Sequence, residues 1–237
     1  MSKSNKVESE NVGSGNEPLK HLLRVYLGKE VAEYAMAGSD KPKPHSINAT
    51  VMFADIRSFT SLSEASDPLD LYEQINAYFN MTEEAVRYNG GCVLGFGGDS
   101  VLALFGGFGQ EDKPHAAYGI RAAGDIMNRL SVLNEKRANQ DRAPFRVGIG
   151  VNSGQLVVGN LGSEKRMIYT VLGDTINTAK RLSDLSKELP FYSIYATSVC
   201  VDSARGQLPP NWEAIDMGDI SVAGKAQPVS TYAISPP

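Results

Sequence analysis

The sequence predicts an α/β (α+β) fold: a ferredoxin-like βααββαβ sandwich with an appended β-hairpin, preceded by a short N-terminal helix. Three observations carry this prediction. Long segments with apolar residues at helical spacing alternate with short β-branched or apolar runs. Two of those runs, Cys92 to Phe96 and Val101 to Phe105, flank a Gly-Asp turn, which signals a hairpin. A further strand pair follows only after another long helical segment.

Residues 1–17 are dominated by Ser, Asn, Glu and Gly and read as a disordered lead-in. Residues 18–45 form a helix and linker. Leu19, Leu22, Leu23, Tyr26, Leu27, Val31 and Tyr34 recur at helical spacing, Gly28 interrupts the helix, and Gly38-Ser39-Asp40 ends it before a stiff Pro42/Pro44 linker. Residues 46–237 form the main domain. Ser46 to Ala54 reads as the first strand. Leu69 to Asn89 carries Leu71, Ile75, Tyr78, Phe79 and Val86 with helical periodicity, and Gly90-Gly91 terminates it. His115 to Asn134 is a second long helix. Phe145 to Val151 and Leu156 to Val158 read as a strand pair, followed by the polar loop Gly162-Ser163-Glu164-Lys165. No internal repeat is present.

Composition narrows the function classes. The apolar fraction of 42% and charged fraction of 21% are those of a globular protein with a full core. A net charge of −4, with no Lys/Arg cluster of five or more, argues against nucleic acid as the main partner. No run of eighteen apolar residues exists to span a membrane, and the N-terminus lacks the apolar core of a signal peptide. Cys92 and Cys200 read as two buried, reduced thiols, consistent with a cytoplasmic location.

Three segments carry chemistry. Phe53-Ala54-Asp55-Ile56-Arg57-Ser58-Phe59-Thr60 and Gly97-Gly98-Asp99-Ser100 each place a carboxylate where an extended run ends. Singly, Asp55 reads as a helix N-cap and Asp99 as a turn aspartate beside glycine. Together, the hairpin brings Asp99 to the end of the first strand. Two such carboxylates make a hard oxygen site for Mg²⁺ or Mn²⁺ held against a phosphate. The amides of Phe59 and Thr60, opening the next helix, would face phosphate oxygens. The third segment, Leu172 to Leu182, sets Asn177 and Arg181 on one helix stripe, with Ile176, Ala179, Leu182 and Leu185 on the packed side. A solvated polar face accounts for that stripe equally well. Gly95-Phe96-Gly97-Gly98 is not a phosphate-binding Walker loop, because no Gly-Lys-Ser/Thr follows. No histidine has a partner at metal spacing.

In order and spacing, these segments resemble the signature blocks of the class III nucleotide (adenylate/guanylate) cyclase catalytic domain of bacterial type, over roughly residues 46–234. The resemblance implies two divalent ions on Asp55 and Asp99, with the Ile56 carbonyl as a further ligand. It assigns Arg181 to the phosphoryl group in the transition state, Asn177 to the ribose, and Thr170 to the exocyclic amine of adenine. Lys225, in Val222-Ala223-Gly224-Lys225, resembles the triphosphate-binding lysine, although a solvated loop lysine is an equal reading. The resemblance further implies a nucleoside triphosphate substrate, a homodimer with two composite sites, and a signalling role for the N-terminal helix in pairing with its copy, although a helix packed on its own domain is an equal reading. Many relatives are the cytoplasmic part of a membrane receptor, and this chain is compatible with that build.

One departure stands out. Adenylate cyclases of this class carry a lysine four residues before the second metal aspartate, and here that position is Gly95. A charged hydrogen bond of this kind contributes about 1.5–3 kcal/mol, one or two decades of base selectivity. ATP is the expected substrate, with CTP, UTP or GTP as alternatives, and a non-catalytic regulatory nucleotide-binding module as the reading from another class.

Overall fold

The computed structural model describes residues 17–37 and 43–236. The lead-in up to residue 16, the Gly38-Ser39-Asp40 stop and Pro42 lie outside the described residues. The chain divides into two units, Met1–Lys41 and Pro42–Pro237. In the first, α1 (Glu17–Leu27) and α2 (Lys29–Ala37) are separated by Gly28, whose φ of 81° lies in the left-handed region and breaks the helix where the sequence places the interruption. Arg24 and Glu33 pair across the break at 3.6 Å.

The second unit is built on one sheet. Its elements are β1 (His45–Ile56), α3 (Phe59–Ala65), α4 (Pro68–Tyr88), β2 (Cys92–Gly97), β3 (Ser100–Phe105), α5 (His115–Ala138), β4 (Val147–Ser163), β5 (Arg166–Leu172), α6 (Asp174–Glu188), β6 (Ile194–Thr197), α7 (Ser198–Ser203), β7 (Glu213–Ile220) and β8 (Val229–Ser235). The strand order is β2-β3-β1-β4-β6-β8-β7, with β5 added to β4. All pairings are antiparallel except β4 with β6. The expected mixed α/β sandwich is therefore the one observed.

Alternation along the central strands separates two faces. Met52, Ala54 and Ile56 of β1, with Ile149 and Val151 of β4, enter the large core under α4, α5 and α7. Their neighbours face the other way, toward α6, where Leu182 and Leu185 pack on Tyr195 and Ala233. Asp55, between Ala54 and Ile56, belongs to this α6 face. Glycine lets α6 sit close. A Cβ at Gly150 would lie 2.0 Å from the Ala179 carbonyl oxygen, and one at Gly148 would lie 1.8 Å from Ser186 Oγ. Gly148 pairs directly with Asp55, so the closest seat of α6 lies beside that carboxylate.

Three boundaries differ from the sequence expectation. The strand pair over 145–158 is one strand, β4, running unbroken to Ser163. Asn152, Ser153 and Gly154 look like a turn, yet they pair with β1 and their polar groups are satisfied within the core. Asn152 donates to the Thr175 carbonyl at 3.0 Å and accepts from Thr197 at 2.8 Å, while Ser153 Oγ lies 2.6 Å from Thr50 Oγ1. The polar loop then shrinks to the tip of a β4–β5 hairpin, with Ser163 paired to Arg166. Finally, α5 runs one turn past Asn134, held by Arg137, which donates to the Ala143 carbonyl at 2.9 and 2.7 Å.

Candidate active site

Asp55 and Asp99 come together as the topology requires. Asp55 lies in the last residue pair of β1 with β3, opposite Ser100, and Asp99 is the turn residue just before that serine. Gly98, at φ 62°, makes the turn possible. Asp55 is buried, with 7% of its surface exposed. Asp99 is half-buried, and burial, followed by the charge of Asp55, pushes its carboxyl above the ordinary aspartate range. Two adjacent carboxylates supply hard oxygen donors, and such donors fit Mg²⁺ or Mn²⁺. Among the described residues no third His, Cys, Asp or Glu joins them in a metal-type cluster. Ile56 is the last residue of β1, and Arg57 beyond it donates to the Tyr192 carbonyl at 2.8 Å and to Ser186 Oγ at 3.2 Å, fixing the strand end.

Phe59 and Thr60 open α3. Ser58 before them has φ 59° and its hydroxyl makes no capping hydrogen bond, so the first amides of α3 have no side-chain acceptor from the cap position.

Arg181 lies against the loop that holds Lys225. A Cβ at Gly224, whose φ is 70°, would come within 2.5 Å of the Arg181 guanidinium. Lys225 pairs with Asp174 at the start of α6. Asn177 is exposed on the same helix, and Thr170 is half-buried on β5. The fold thus gathers Arg181, Lys225 and Asp174 in one group and Asp55 with Asp99 in another. Among the described residues no hydrogen bond or ion pair connects Asn177 or Arg181 to Asp55 or Asp99.

Sequence reasoning missed the basic side chains on Asp55. Lys180 donates to Asp55 Oδ2 at 2.9 Å, Lys187 lies 3.4 Å from Oδ1, and Asp184 accepts from both at 3.0 and 2.9 Å. Burial opposes the charge on Lys180, but Asp55 and Asp184 outweigh it and hold its pKa above the ordinary lysine value. Burial likewise opposes the charge on Asp184, and Lys187 and Lys180 outweigh it to keep that carboxyl below the ordinary range. The spacing Lys180, Asp184, Lys187 was a visible i, i+4 and i+3 pattern; its target on β1 was not.

Position 95 is open. A Cβ there would meet nothing within 4 Å, and the β2–β3 register slips between Val93 and Gly95. Cys92 and Cys200 are both buried and unbridged. No helix among the described residues is long and apolar enough to cross a membrane.

Comparison with known proteins places the fold and the family. "Adenylate cyclase 1" of Rhizobium meliloti (strain 1021) is 34% identical over 155 residues, 65% of this chain and 22% of that protein. The chain therefore spans about a fifth of that relative's length. The crystal structure of the adenylyl cyclase CyaB from P. aeruginosa superposes with a TM-score of 0.75 at 27% identity, over 83% of this chain and 97% of that one. The crystal structure of the guanylyl cyclase Cya2 gives a TM-score of 0.69 at 25% identity, over 82% and 94%. The family described as "Adenylate and Guanylate cyclase catalytic domain" matches residues 42–236. With the carboxylate pair and the α6 residues inside that span, the chain belongs to the adenylate and guanylate cyclase catalytic domain family.

Proposed function

We propose that this chain converts ATP to 3′,5′-cyclic AMP and pyrophosphate, at sites shared across a homodimer. The observation that carries this reading is the buried Asp55 beside the half-buried Asp99, on a chain of this family. Asp55, Asp99 and the Ile56 carbonyl would hold two Mg²⁺ or Mn²⁺ ions. Such ions would supply Lewis-acid chemistry there, lowering the pKa of the ribose 3′-hydroxyl and neutralising charge on the β- and γ-phosphates. The 3′-oxygen forms a bond to the α-phosphorus as pyrophosphate leaves in line. The Phe59 and Thr60 amides donate hydrogen bonds to phosphate oxygens. Arg181 presents a planar fork to the phosphoryl group as its charge builds, and Asn177 orients the ribose. Thr170 accepts from the adenine amine. Lys225 exchanges Asp174 for the triphosphate.

Two observations support the shared site. Arg181 and Asn177 make no hydrogen bond or ion pair with Asp55 or Asp99 of their own chain among the described residues. The β4–β5 hairpin also leaves Leu161, Met167, Ile168 and Leu172 exposed, an apolar strip suited to a second copy. Cytoplasmic placement fits the two unbridged cysteines.

The open space at Gly95 favours a second reading, in which the site takes another base. Turnover of ATP, GTP, CTP and UTP with Mn²⁺, followed by mass detection of the cyclic product, tests both. Cyclic AMP as the dominant product is expected, lost in Asp55→Ala, and Gly95→Lys should sharpen the preference for ATP by about tenfold or more. A cyclic pyrimidine or guanine nucleotide would replace ATP in the proposal. Absence of product with all four from a folded dimer would overturn catalysis and leave a regulatory module.

A further inference from the structure

We propose that Lys180 is a built-in counterion of Asp55, one that a divalent cation must displace, so that this exchange sets the metal affinity of the site. The inference rests on the reading of Asp55 as a metal-holding carboxylate.

Both oxygens of Asp55 are already engaged. Lys180 makes the hydrogen-bonded contact at 2.9 Å, and Lys187 the looser one at 3.4 Å. Asp55 is buried, so its charge is poorly screened and an ammonium in contact stabilises it substantially. A cation that draws Asp55 and Asp99 together has to take Asp55 from that ammonium.

The displaced lysine has somewhere to go. Asp184, one turn along the same helix, already accepts from Lys180 at 3.0 Å. Its side chain is 44% exposed, and that of Lys180 is 36% exposed. A four-carbon stem on an accessible helix edge can let go of Asp55 and keep Asp184, so the exchange leaves no ammonium unpaired. The arrangement holds Asp55 compensated when no metal is bound, yet releasable. Lys187 shares Asp184 and stands as a weaker second counterion.

The exchange is read by Mn²⁺ binding to the full chain without nucleotide, measured from the electron paramagnetic resonance signal of free Mn²⁺. Lys180→Met should tighten Mn²⁺ binding about tenfold, the effect of removing one partly exposed charge-assisted contact. Lys187→Met should tighten it by less, and Lys180→Arg should keep it near the native value. Lys180→Gln gives the same direction as Met, so a folding defect in one variant does not decide the outcome. Asp55→Asn is the control and should abolish the tight Mn²⁺ site. If Asp55→Asn abolishes binding while the Met and Gln variants leave it unchanged or weaker, the counterion role of Lys180 is overturned and the metal reading stands. Unchanged binding in Asp55→Asn would overturn both.

Discussion

Asp99 carries charge where the fold disfavours it. Burial, and then Asp55 beside it, raise its pKa in the folded chain. Between the ordinary aspartate pKa, near 3.9, and this raised value, the unfolded chain binds fewer protons than the folded one. Stability therefore falls as pH rises through that window. Asp99→Asn removes the penalty. In a chelator at neutral pH the variant should melt higher than the native protein, by up to about 2–4 °C once solvent screening of a half-exposed group is allowed for. The gap should close as pH falls below about 4, and a thermal melt series over pH reads both ends. The same substitution should abolish metal-dependent turnover. Opposite signs for stability and activity mark a residue retained for chemistry. Asp55 and Asp99 were both legible as candidates from strand-end and turn context. The cations on Asp55 were not, since a helix pattern does not say which strand the helix will lie on.

At the scale of elements, α6 joins the two groups of site residues. Lys180 and Lys187 reach down to β1, while Arg181 meets the Gly224 loop. Its depth depends on Gly148 and Gly150, which carry no side chain between sheet and helix. At Gly150 the obstruction is backbone, the Ala179 carbonyl oxygen, so a methyl group cannot be absorbed by a rotamer change. Gly150→Ala should destabilise the fold by about 1–3 kcal/mol in chemical denaturation and lower turnover together with it. Helix periodicity had placed α4, α5 and α6, because their apolar stripes are long. It split β4 in two because Asn152, Ser153 and Gly154 look like a turn, while their hydrogen bonds to Thr175, Thr197 and Thr50 are made by distant segments. Local pattern carries no record of such partners.

For the whole molecule, the proposed shared site gives a test that no single chain can pass. Asp55→Ala and Arg181→Ala should each be inactive alone. Mixed and re-equilibrated, half the dimers would be mixed and half of their sites intact, restoring about a quarter of native activity. No recovery, with mixed dimers shown to form, would remove the shared site from the proposal. The sandwich class and the seat of the hairpin beside the first strand were readable in the alternation of strands and helices. The order β4-β6-β8-β7 beyond them was not, because it follows from pairings between distant segments. Position 95 has a consequence of another kind. Its Cβ direction is empty, while Asp55 and Asp99 are tied into strand, turn and ion pairs. If position 95 reads the base, a lineage can exchange one nucleotide messenger for another by changing a single codon there. The chemistry would be inherited intact while the signal it writes drifts.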